Sequence, residues 1–193
     1  MKRHTPDPWP YPRHPQGPND NIFGGHPHFE RHIFLYRDQL LLDIDMIVAV
    51  IAKVRKKPDG TDDDTLNNAS QQYRPMFNRW IDKYVNLAKG RMAAFILEKF
   101  RTSKADNLKV EDEIDIELQV PFYWDDTTFQ PLVQAVHDYV VNGAAYEFLS
   151  LVLPPKEHII NTKRIDMEQS YADIKRYICS TKPGSVKKPL QPF

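Results

Sequence analysis

Five of the seven histidines lie near the N-terminus, and imidazole nitrogen is a common ligand of transition metals. They are His4, His14, His26, His28 and His32. The last three belong to the segment His26-Pro-His-Phe-Glu-Arg-His32, whose spacing could hold Zn²⁺ or Ni²⁺. No cysteine accompanies them, and a proline separates the first two imidazoles. Ordinary polar residues are therefore favoured over a metal site, and we expect neither a metal nor a cofactor.

The other residues that could bind a metal or take part in catalysis lack the neighbouring residues that these roles need. Asp62–Asp64 is without the alternating oxygen ligands, the glycine and the final glutamate of an EF-hand loop. His137 and Asp138 are adjacent on a predicted helix, so their side chains point about 100° apart and are not expected to form a dyad. Cys179, the single cysteine, permits no internal disulfide. No nucleophile lies at a recognised spacing from a base, so the sequence predicts a protein that is not an enzyme.

An alternating segment between Asp112 and Pro121 organises the rest of the chain. Its apolar residues occupy every second position, namely Ile114, Ile116, Leu118 and Val120. Strict alternation predicts a strand with one buried and one solvated face. Pro121 cannot donate a hydrogen bond to a neighbouring strand, so we expect the strand to end there.

The next segment has the spacing of three and four that is typical of one face of a helix. Its apolar residues are Phe129, Val133, Val136, Val140, Ala144, Phe148 and Leu151. We expect Thr127 or Thr128 to cap the first amides of this helix. Gly143, in the middle, costs about 1 kcal/mol of helix propensity. A neighbouring helix that approaches closely at this point would explain its presence.

Three more helices are predicted from the same periodicity. They cover about 34–56, from about 70 or 75 to 101, and about 155–180, with Pro155 in the first turn of the last. The predicted fold class is therefore mainly α: a four-helix domain of residues 34–181 with one short β-strand or hairpin. The longest apolar run, Met46–Ala52, is far shorter than the roughly 20 residues of a membrane span.

The two ends of the chain differ from its middle. Residues 1–33 are rich in proline and histidine, a composition that predicts an extended arm rather than a helix or central strand. The expected anchors of this arm on a partner are Trp9, Tyr11, Phe23 and Phe29. Residues 182–193 form a basic, proline-containing tail, predicted to be extended as well. Its expected partner-binding residues are Lys182, Lys187, Lys188 and Phe193.

Charge is balanced overall, with 26 basic and 26 acidic residues, which argues against a general nucleic-acid-binding protein. Residues 106–126 nevertheless carry eight acidic residues, whereas residues 175–193 carry five basic and no acidic ones. Either this is ordinary scatter, or the tail docks on the acidic region of an adjacent copy. On the second predicted helix, Arg79 and Lys83 are possible DNA-facing residues, although a solvated basic face is the favoured interpretation.

The order of these elements resembles that of phage head-to-tail connector proteins, including those of crAss-like and other Bacteroides phages. The resemblance is carried by Phe77-Asn-Arg-Trp80 on the long second helix, by the acidic strand, and by Trp124-Asp-Asp126 after it. In that family, the stretch similar to residues 113–153 is an acidic strand, a turn and a helix. Residues 171–183 resemble a last helix that ends near a Lys-Pro pair. The resemblance covers about residues 35–183 and does not include the histidine-rich arm.

The resemblance implies a structural virion protein of the phage neck, made in the host cytoplasm and assembled into a twelve-fold ring of identical subunits. It implies contacts with the portal protein and with other neck or tail proteins, around a channel for packaged DNA. The alternative hypothesis is a DNA-binding or adaptor protein of a plasmid or other mobile element. A metal-dependent enzyme that uses the histidines is the least favoured reading.

Overall fold

The structure is a computed structural model that describes residues 28–54, 69–96, 112–155 and 157–182. Its strands and α-helices are, in order, β1 His28–Tyr36, α1 Arg37–Val54, α2 Ala69–Gln72, α3 Arg74–Arg91, β2 Glu113–Pro121, α4 Phe129–Val152 and α5 His158–Ile178. Short 3-10 turns occupy Ala93–Phe95 and Asp126–Thr128. The predicted mainly helical fold with a short β element is confirmed, and α2 adds one turn to the four predicted helices.

Helix α4 is the centre of the domain, because α1, α3 and α5 all pack against it. Val136 and Phe148 are buried, as the predicted stripe requires, but Leu132 and Leu149 are buried as well. Leu151, which was expected to face inward, is exposed. A helix enclosed by three others buries several of its faces. The prediction of a single buried stripe on this helix was therefore too narrow.

Strands β1 and β2 form a two-stranded antiparallel sheet. His28 lies opposite Pro121, and Tyr36 lies opposite Glu113. Three helices separate the two strands along the chain, so the sheet is not a hairpin. Its register therefore depends on side-chain burial rather than on a tight turn.

One face of this sheet belongs to the hydrophobic core. The alternation predicted for β2 is confirmed, since its apolar residues are all buried: Ile114, Ile116, Leu118 and Val120. Ile33 and Leu35 of β1 lie on the same face and are buried too. On the other edge of β2, Ile96 forms a single bridge with Leu118.

The N-terminal end of the domain differs from the prediction. An extended arm was expected up to a helix that starts at Phe34, whereas residues 28–36 form a strand and α1 begins at Arg37. The alternation of β1 is hard to recognise because Arg31 is on the inward side while Tyr36 is outward and exposed. Pairing with β2 satisfies the backbone groups along one edge of this segment, and that partner is distant in sequence.

Helix α3 ends earlier than the sequence predicts. We expected the helix to reach Arg101, but it ends at Arg91. The backbone N–H of Met92 donates to two carbonyl oxygens of the last turn, at 3.0 and 3.1 Å, and a 3-10 turn follows. Ile96 then adopts an extended conformation and meets β2. The apolar periodicity continues beyond Arg91 in the sequence, but the contact with the sheet ends the helix there.

The starts of α4 and α5 also differ from the prediction. Thr128 occupies the N-cap position of α4, but its side chain caps no amide and donates instead to the carbonyl oxygen of Asp125 at 2.6 Å. The Asp125 carboxylate accepts from the backbone N–H of Thr127 at 3.1 Å, so Asp125 caps the 3-10 turn before the helix. Helix α5 begins at His158, which places Pro155 before the helix rather than in its first turn.

Gly143 marks a close approach between α3 and α4. A Cβ atom at this position would lie 2.5 Å from Cδ1 and Cε1 of Tyr84. The expected close neighbour is confirmed, and an aromatic ring rather than the backbone of α3 fills the space.

Tyr84 packs edge-on against Tyr139 with ring centroids 5.3 Å apart, and Tyr139 packs against Tyr171 of α5 at 5.1 Å. Burial raises the pKa of Tyr139 to about 12, as expected for an enclosed phenol.

Two polar contacts tie α1 to the neighbouring helices. Arg37 is only 4% exposed, and its side chain donates to Oδ1 of Asp82 on α3 at 2.7 Å. The Asp45 carboxylate accepts from the backbone N–H of Ser70 at 2.9 Å and from the Ser70 hydroxyl. Asp45 thereby satisfies one of the amides that the N-terminus of α2 leaves without an intrahelical partner.

Candidate interaction site at the end of the sheet

Three segments meet where β1 begins and β2 ends, in a region that we name the arm corner. It consists of residues 28–31, 121–126 and 177–182. After β2 the chain turns, and the backbone N–H of Trp124 donates to the carbonyl oxygen of Pro121 at 2.9 Å. The chain returns to this turn after α5, where Thr181 forms an antiparallel bridge with Trp124.

Trp124 holds the turn against the end of α5. The indole is buried, and its Nε1 donates to the carbonyl oxygen of Tyr177 at 3.1 Å. Its ring lies edge-on to Phe129 with centroids 6.3 Å apart. A buried indole is stable when its N–H finds an acceptor, so this side chain joins the turn to the end of α5 and to the start of α4.

Asp126 is the electrostatic centre of the arm corner. Its Oδ1 lies 2.9 Å from Nη2 of Arg31, and its Oδ2 lies 3.7 Å from Nζ of Lys182. Lys182 also donates through Nζ to the carbonyl oxygen of Phe122 at 3.3 Å. All three charged side chains are substantially exposed, so each ion pair contributes only about 0–1 kcal/mol. These pairs orient the segments more than they stabilise them.

Large aromatic residues border the arm corner and remain accessible to solvent. Phe29, Phe122 and Tyr123 are 44%, 43% and 42% exposed. The rings of Phe122 and Tyr123 pack edge-on with centroids 5.4 Å apart, and the Arg31 guanidinium lies 5.9 Å from the Phe29 ring centroid. Exposed aromatic residues beside cations are typical of surfaces that bind another protein.

Both predicted arms join the domain at the arm corner. In the sequence, 27 residues precede His28 and 11 follow Lys182. His28 lies opposite Pro121, and the backbone N–H of Lys182 donates to the carbonyl oxygen of Tyr123 at 2.9 Å. The two segments predicted to contact partners therefore begin at the same end of the molecule.

The structure describes two of the predicted arm and tail residues. Phe29 lies in β1 rather than in an arm, and Lys182 contacts the turn of its own chain. The others lie outside the described residues: Trp9, Tyr11, Phe23, Lys187, Lys188 and Phe193. Phe122 and Tyr123 were not among the predicted anchors, although two adjacent aromatics after a strand-ending proline were a visible signal.

The predicted DNA-facing residues on α3 differ from each other. Arg79 is exposed. Lys83 lies 2.5 Å from Oε1 of Glu147 on α4, and its Nζ lies 5.2 Å from the centroid of the Tyr84 ring. An acidic partner on the adjacent helix reduces the positive potential that a phosphate would meet at Lys83.

The histidine segment is divided by the start of β1. His28 and His32 lie in this strand, and Nδ1 of His32 lies 3.0 Å from Oδ2 of Asp115 on β2. Within the described ranges, no group of three or more His, Cys, Asp or Glu side chains could hold a metal ion. The remaining candidates lie outside those ranges: His4, His14, His26 and Asp62–Asp64.

A third residue joins the His137 and Asp138 pair. Nε2 of His137 lies 3.1 Å from Oδ2 of Asp43 on α1, and its Nδ1 lies 3.6 Å from Oδ1 of Asp138. The adjacent imidazole lowers the pKa of the Asp138 carboxyl, although 3.6 Å is longer than a normal hydrogen bond. The two side chains are therefore closer than their helical positions suggest. In the described part of the chain, no hydroxyl or thiol hydrogen-bonds to this imidazole, so the arrangement lacks a nucleophile.

Comparisons with known proteins return nothing similar to this chain. No family model matches the sequence, and neither a curated protein nor a solved structure does so. Among the described residues, the helices include none with the length and apolar character needed to cross a membrane.

Proposed function

We propose that this chain is a structural subunit of a phage head-to-tail connector, forming a ring beneath the portal protein and around the DNA channel. In this proposal the protein resides in the neck of the virion and in the host cytoplasm during assembly. Twelve copies form the ring and contact the portal protein and other neck or tail proteins. Packaged DNA passes the inner surface without sequence-specific contact.

The observation that carries this proposal is the convergence of both arms on the arm corner. A ring subunit must contact two neighbouring copies as well as the rings above and below it. Two peptide segments that start from one end of a folded domain allow several such contacts with little buried area on the domain itself. Exposed Phe29, Phe122 and Tyr123 beside their starting points supply apolar contacts for the same partners.

The sequence of the longer arm supports a role in partner binding. Trp9, Tyr11 and Phe23 are separated by prolines, which reduce the conformational entropy that is lost when an extended segment binds. Aromatic residues in such segments bury large areas with few rotatable bonds. The arm therefore has the composition of a strap across another subunit.

The first experiment removes residues 1–27 and measures folding and assembly separately. The melting temperature of the purified domain should remain within a few degrees of the parent, because β1 begins at His28. Incorporation into rings with the portal protein of the same phage should be lost in native mass spectra and negative-stain images. A full-length variant with Trp9→Ser, Tyr11→Ser and Phe23→Ser should show the same loss while keeping the arm length.

Two results would contradict the connector proposal. One is a parent protein that forms no ring with or without the portal protein. The other is a truncated chain that loses its fold and yet assembles in whatever fraction stays folded.

Binding to DNA tests the alternative of a DNA-binding adaptor. We expect only weak, sequence-independent binding that decreases steeply between roughly 50 and 200 mM salt. Tight binding at 200 mM salt that is weakened by Arg79→Ala would favour the alternative. Lys83→Ala is expected to have a smaller effect than Arg79→Ala, because Lys83 is paired with Glu147.

A further inference from the structure

Strand β1 has one edge with which no described strand pairs. The sheet contains two strands, and β2 lies along one side of β1 for its whole length. Ile96 meets the second side of β2, whereas the second side of β1, which we name the free edge, is open in the described part of the chain. β1 is nine residues long and contains no proline, lysine or bulge, which are features that keep the edge of a sheet from pairing with another chain.

The backbone of β1 shows which groups the free edge presents. The N–H of Arg37 donates to the carbonyl oxygen of Asp112 at 2.9 Å, so the backbone groups of Arg37 point toward the β2 side. In an antiparallel pair these groups alternate between the two sides from one residue to the next. Glu30, His32 and Phe34 therefore direct their N–H and C=O groups away from β2. Within the described ranges, only the carbonyl oxygen of Glu30 has a partner, which is the side chain of the next residue at 3.2 Å.

An extended chain is the kind of partner that can satisfy a row of such groups. A helix bonds its own N–H and C=O groups internally, whereas a strand laid along the free edge continues the hydrogen-bonding pattern of the sheet. In this mode of binding, the backbone provides affinity and the side chains provide specificity. The side chains beside the free edge therefore determine which extended segments fit.

Those side chains lie on the side of the sheet that faces away from the core, which we name the outer face. It consists of Glu30, His32, Phe34, Tyr36, Glu113, Asp115, Glu117 and Gln119. Phe34 and Tyr36 are 46% and 57% exposed, which is unusual for aromatic residues in a strand whose other face is buried. The outer face is acidic, because it carries four carboxylates and a single basic side chain, His32.

An added strand extends the outer face by one row of side chains. Adjacent strands are about 4.8 Å apart, so the new row lies beside Phe34 and Tyr36 and about 10 Å from the row of Asp115 and Glu113. A lysine or arginine in the new row can lay its methylene groups across an aromatic ring and direct its charge toward the carboxylate behind it. Basic residues at every second position thus fit both the rings and the charges of the outer face.

The same charges disfavour a second copy at the free edge. Two β1 strands paired edge to edge would join two outer faces into one continuous acidic face. Like charges on one face of neighbouring strands are destabilising. Charge complementarity therefore selects a basic segment of a different protein.

We infer that the free edge of β1 binds, by antiparallel strand addition, an extended segment of a different protein with basic residues at alternating positions. In a connector, this segment belongs to the portal protein or to another neck or tail protein. The inference itself does not require a ring, because recognition involves one chain and one segment. A chain that binds such segments but forms no ring would contradict the connector proposal alone.

A synthetic peptide takes the place of the partner in the test. It alternates lysine with valine over about seven residues, a usual strand length, and carries a fluorescein label. Anisotropy titration with the full-length chain should show saturable binding that weakens as salt is added. A peptide with glutamate in place of lysine is the matched charge control and should bind at least about tenfold more weakly. Equal binding of the two peptides would overturn the inference.

N-methylation of the peptide tests the backbone contact. In the antiparallel arrangement, lysines on the outer face direct their N–H groups to β1, and the valines direct theirs away. Methylation of the lysine N–H groups should therefore weaken binding at least about tenfold, because several hydrogen bonds are lost together. Methylation of the valine N–H groups is the matched control and should have little effect. Equal binding of the two methylated peptides, or a loss in the valine series alone, would contradict the proposed pairing.

Two substitutions at one position separate backbone from side chain in the protein. Phe34→Ala removes the ring, whereas Phe34→Pro also removes the N–H at the free edge without removing a hydrogen bond to β2. The proline variant should bind the lysine peptide several-fold more weakly than the alanine variant. Equal affinities would show that the peptide does not bond to this edge, and the methylated peptides test the same contact if the proline variant does not fold.

Sedimentation of the chain without peptide tests the choice of partner. We expect Phe34→Pro and Phe34→Ala to leave the oligomeric state of the parent unchanged, because a different protein occupies the free edge. If the parent forms an oligomer that Phe34→Pro dissociates and Phe34→Ala does not, a second copy occupies the edge and the assignment to a different protein is wrong.

Discussion

Replacement of Gly143 by alanine sets helix propensity directly against packing. In an open helix position this substitution stabilises a protein by about 1 kcal/mol. At Gly143 the added Cβ would lie 2.5 Å from Cδ1 and Cε1 and 2.6 Å from Cγ of Tyr84. All three atoms belong to the rigid aromatic ring, so there is no flexible end of a side chain that could move aside to relieve the contact.

The surroundings of Tyr84 limit its movement further. The residue is buried, its ring contacts Tyr139, and its hydroxyl donates to Oε1 of Glu147 at 3.1 Å. Overpacking of a filled core costs roughly 1–3 kcal/mol, and three contacts this short favour the upper part of that range. We therefore expect Gly143→Ala to lower the free energy of unfolding by about 1–2 kcal/mol, after the gain in propensity is subtracted.

Urea denaturation at 25 °C measures this difference. Gly90→Ala on α3 is the matched control, because a Cβ there meets nothing within 4 Å, and we expect it to be neutral or stabilising. Gly143→Ala in a Tyr84→Leu background should cost less than in the parent, with a coupling energy of about 1 kcal/mol or more. If Gly143→Ala is more stable than the parent, the packing of α3 on α4 described above is wrong.

Three further substitutions test other parts of the domain. Val136→Asp should unfold it, because a buried unpaired carboxylate costs several kcal/mol against a typical total of about 5–15; a circular dichroism melt close to that of the parent would refute the burial of Val136. Asp45→Ala removes the acceptor of the Ser70 amide and hydroxyl and should cost about 0.5–2 kcal/mol in the same urea assay, so an unchanged midpoint would contradict this capping role. Because His137 lowers the pKa of Asp138 in the folded state, this carboxylate contributes stability above its unfolded pKa of about 3.9, and the contribution is lost as the pH decreases through the lower folded value. Asp138→Asn should therefore make the free energy of unfolding depend less steeply on pH on the acid side. If the variant and the parent lose stability equally as the pH decreases, the interaction of Asp138 with His137 is not supported.

The sequence predicted the elements whose burial is visible in local periodicity. Strand β2 alternates strictly, and Ile114 through Val120 are buried at every second position as expected. Helices α1 and α3 were also predicted, because the apolar residues of a helix that packs on one side repeat every three or four positions. Gly143 signalled its close neighbour, since a glycine in the middle of a helix has an energetic cost that packing can explain.

Other features depended on contacts between distant parts of the chain. The partner of β2 is residues 28–36, whose inward side includes Arg31 and whose outward side includes Phe34, so the local pattern of that strand is weak. The pairing of Asp43 with His137 and the bridge between Trp124 and Thr181 likewise join residues that are far apart in sequence. Periodicity reports which side of a segment is buried, because it reflects the direction of each side chain from its own backbone. Which segment lies on that side is decided only when the whole core forms, since burial and hydrogen bonding are then satisfied together.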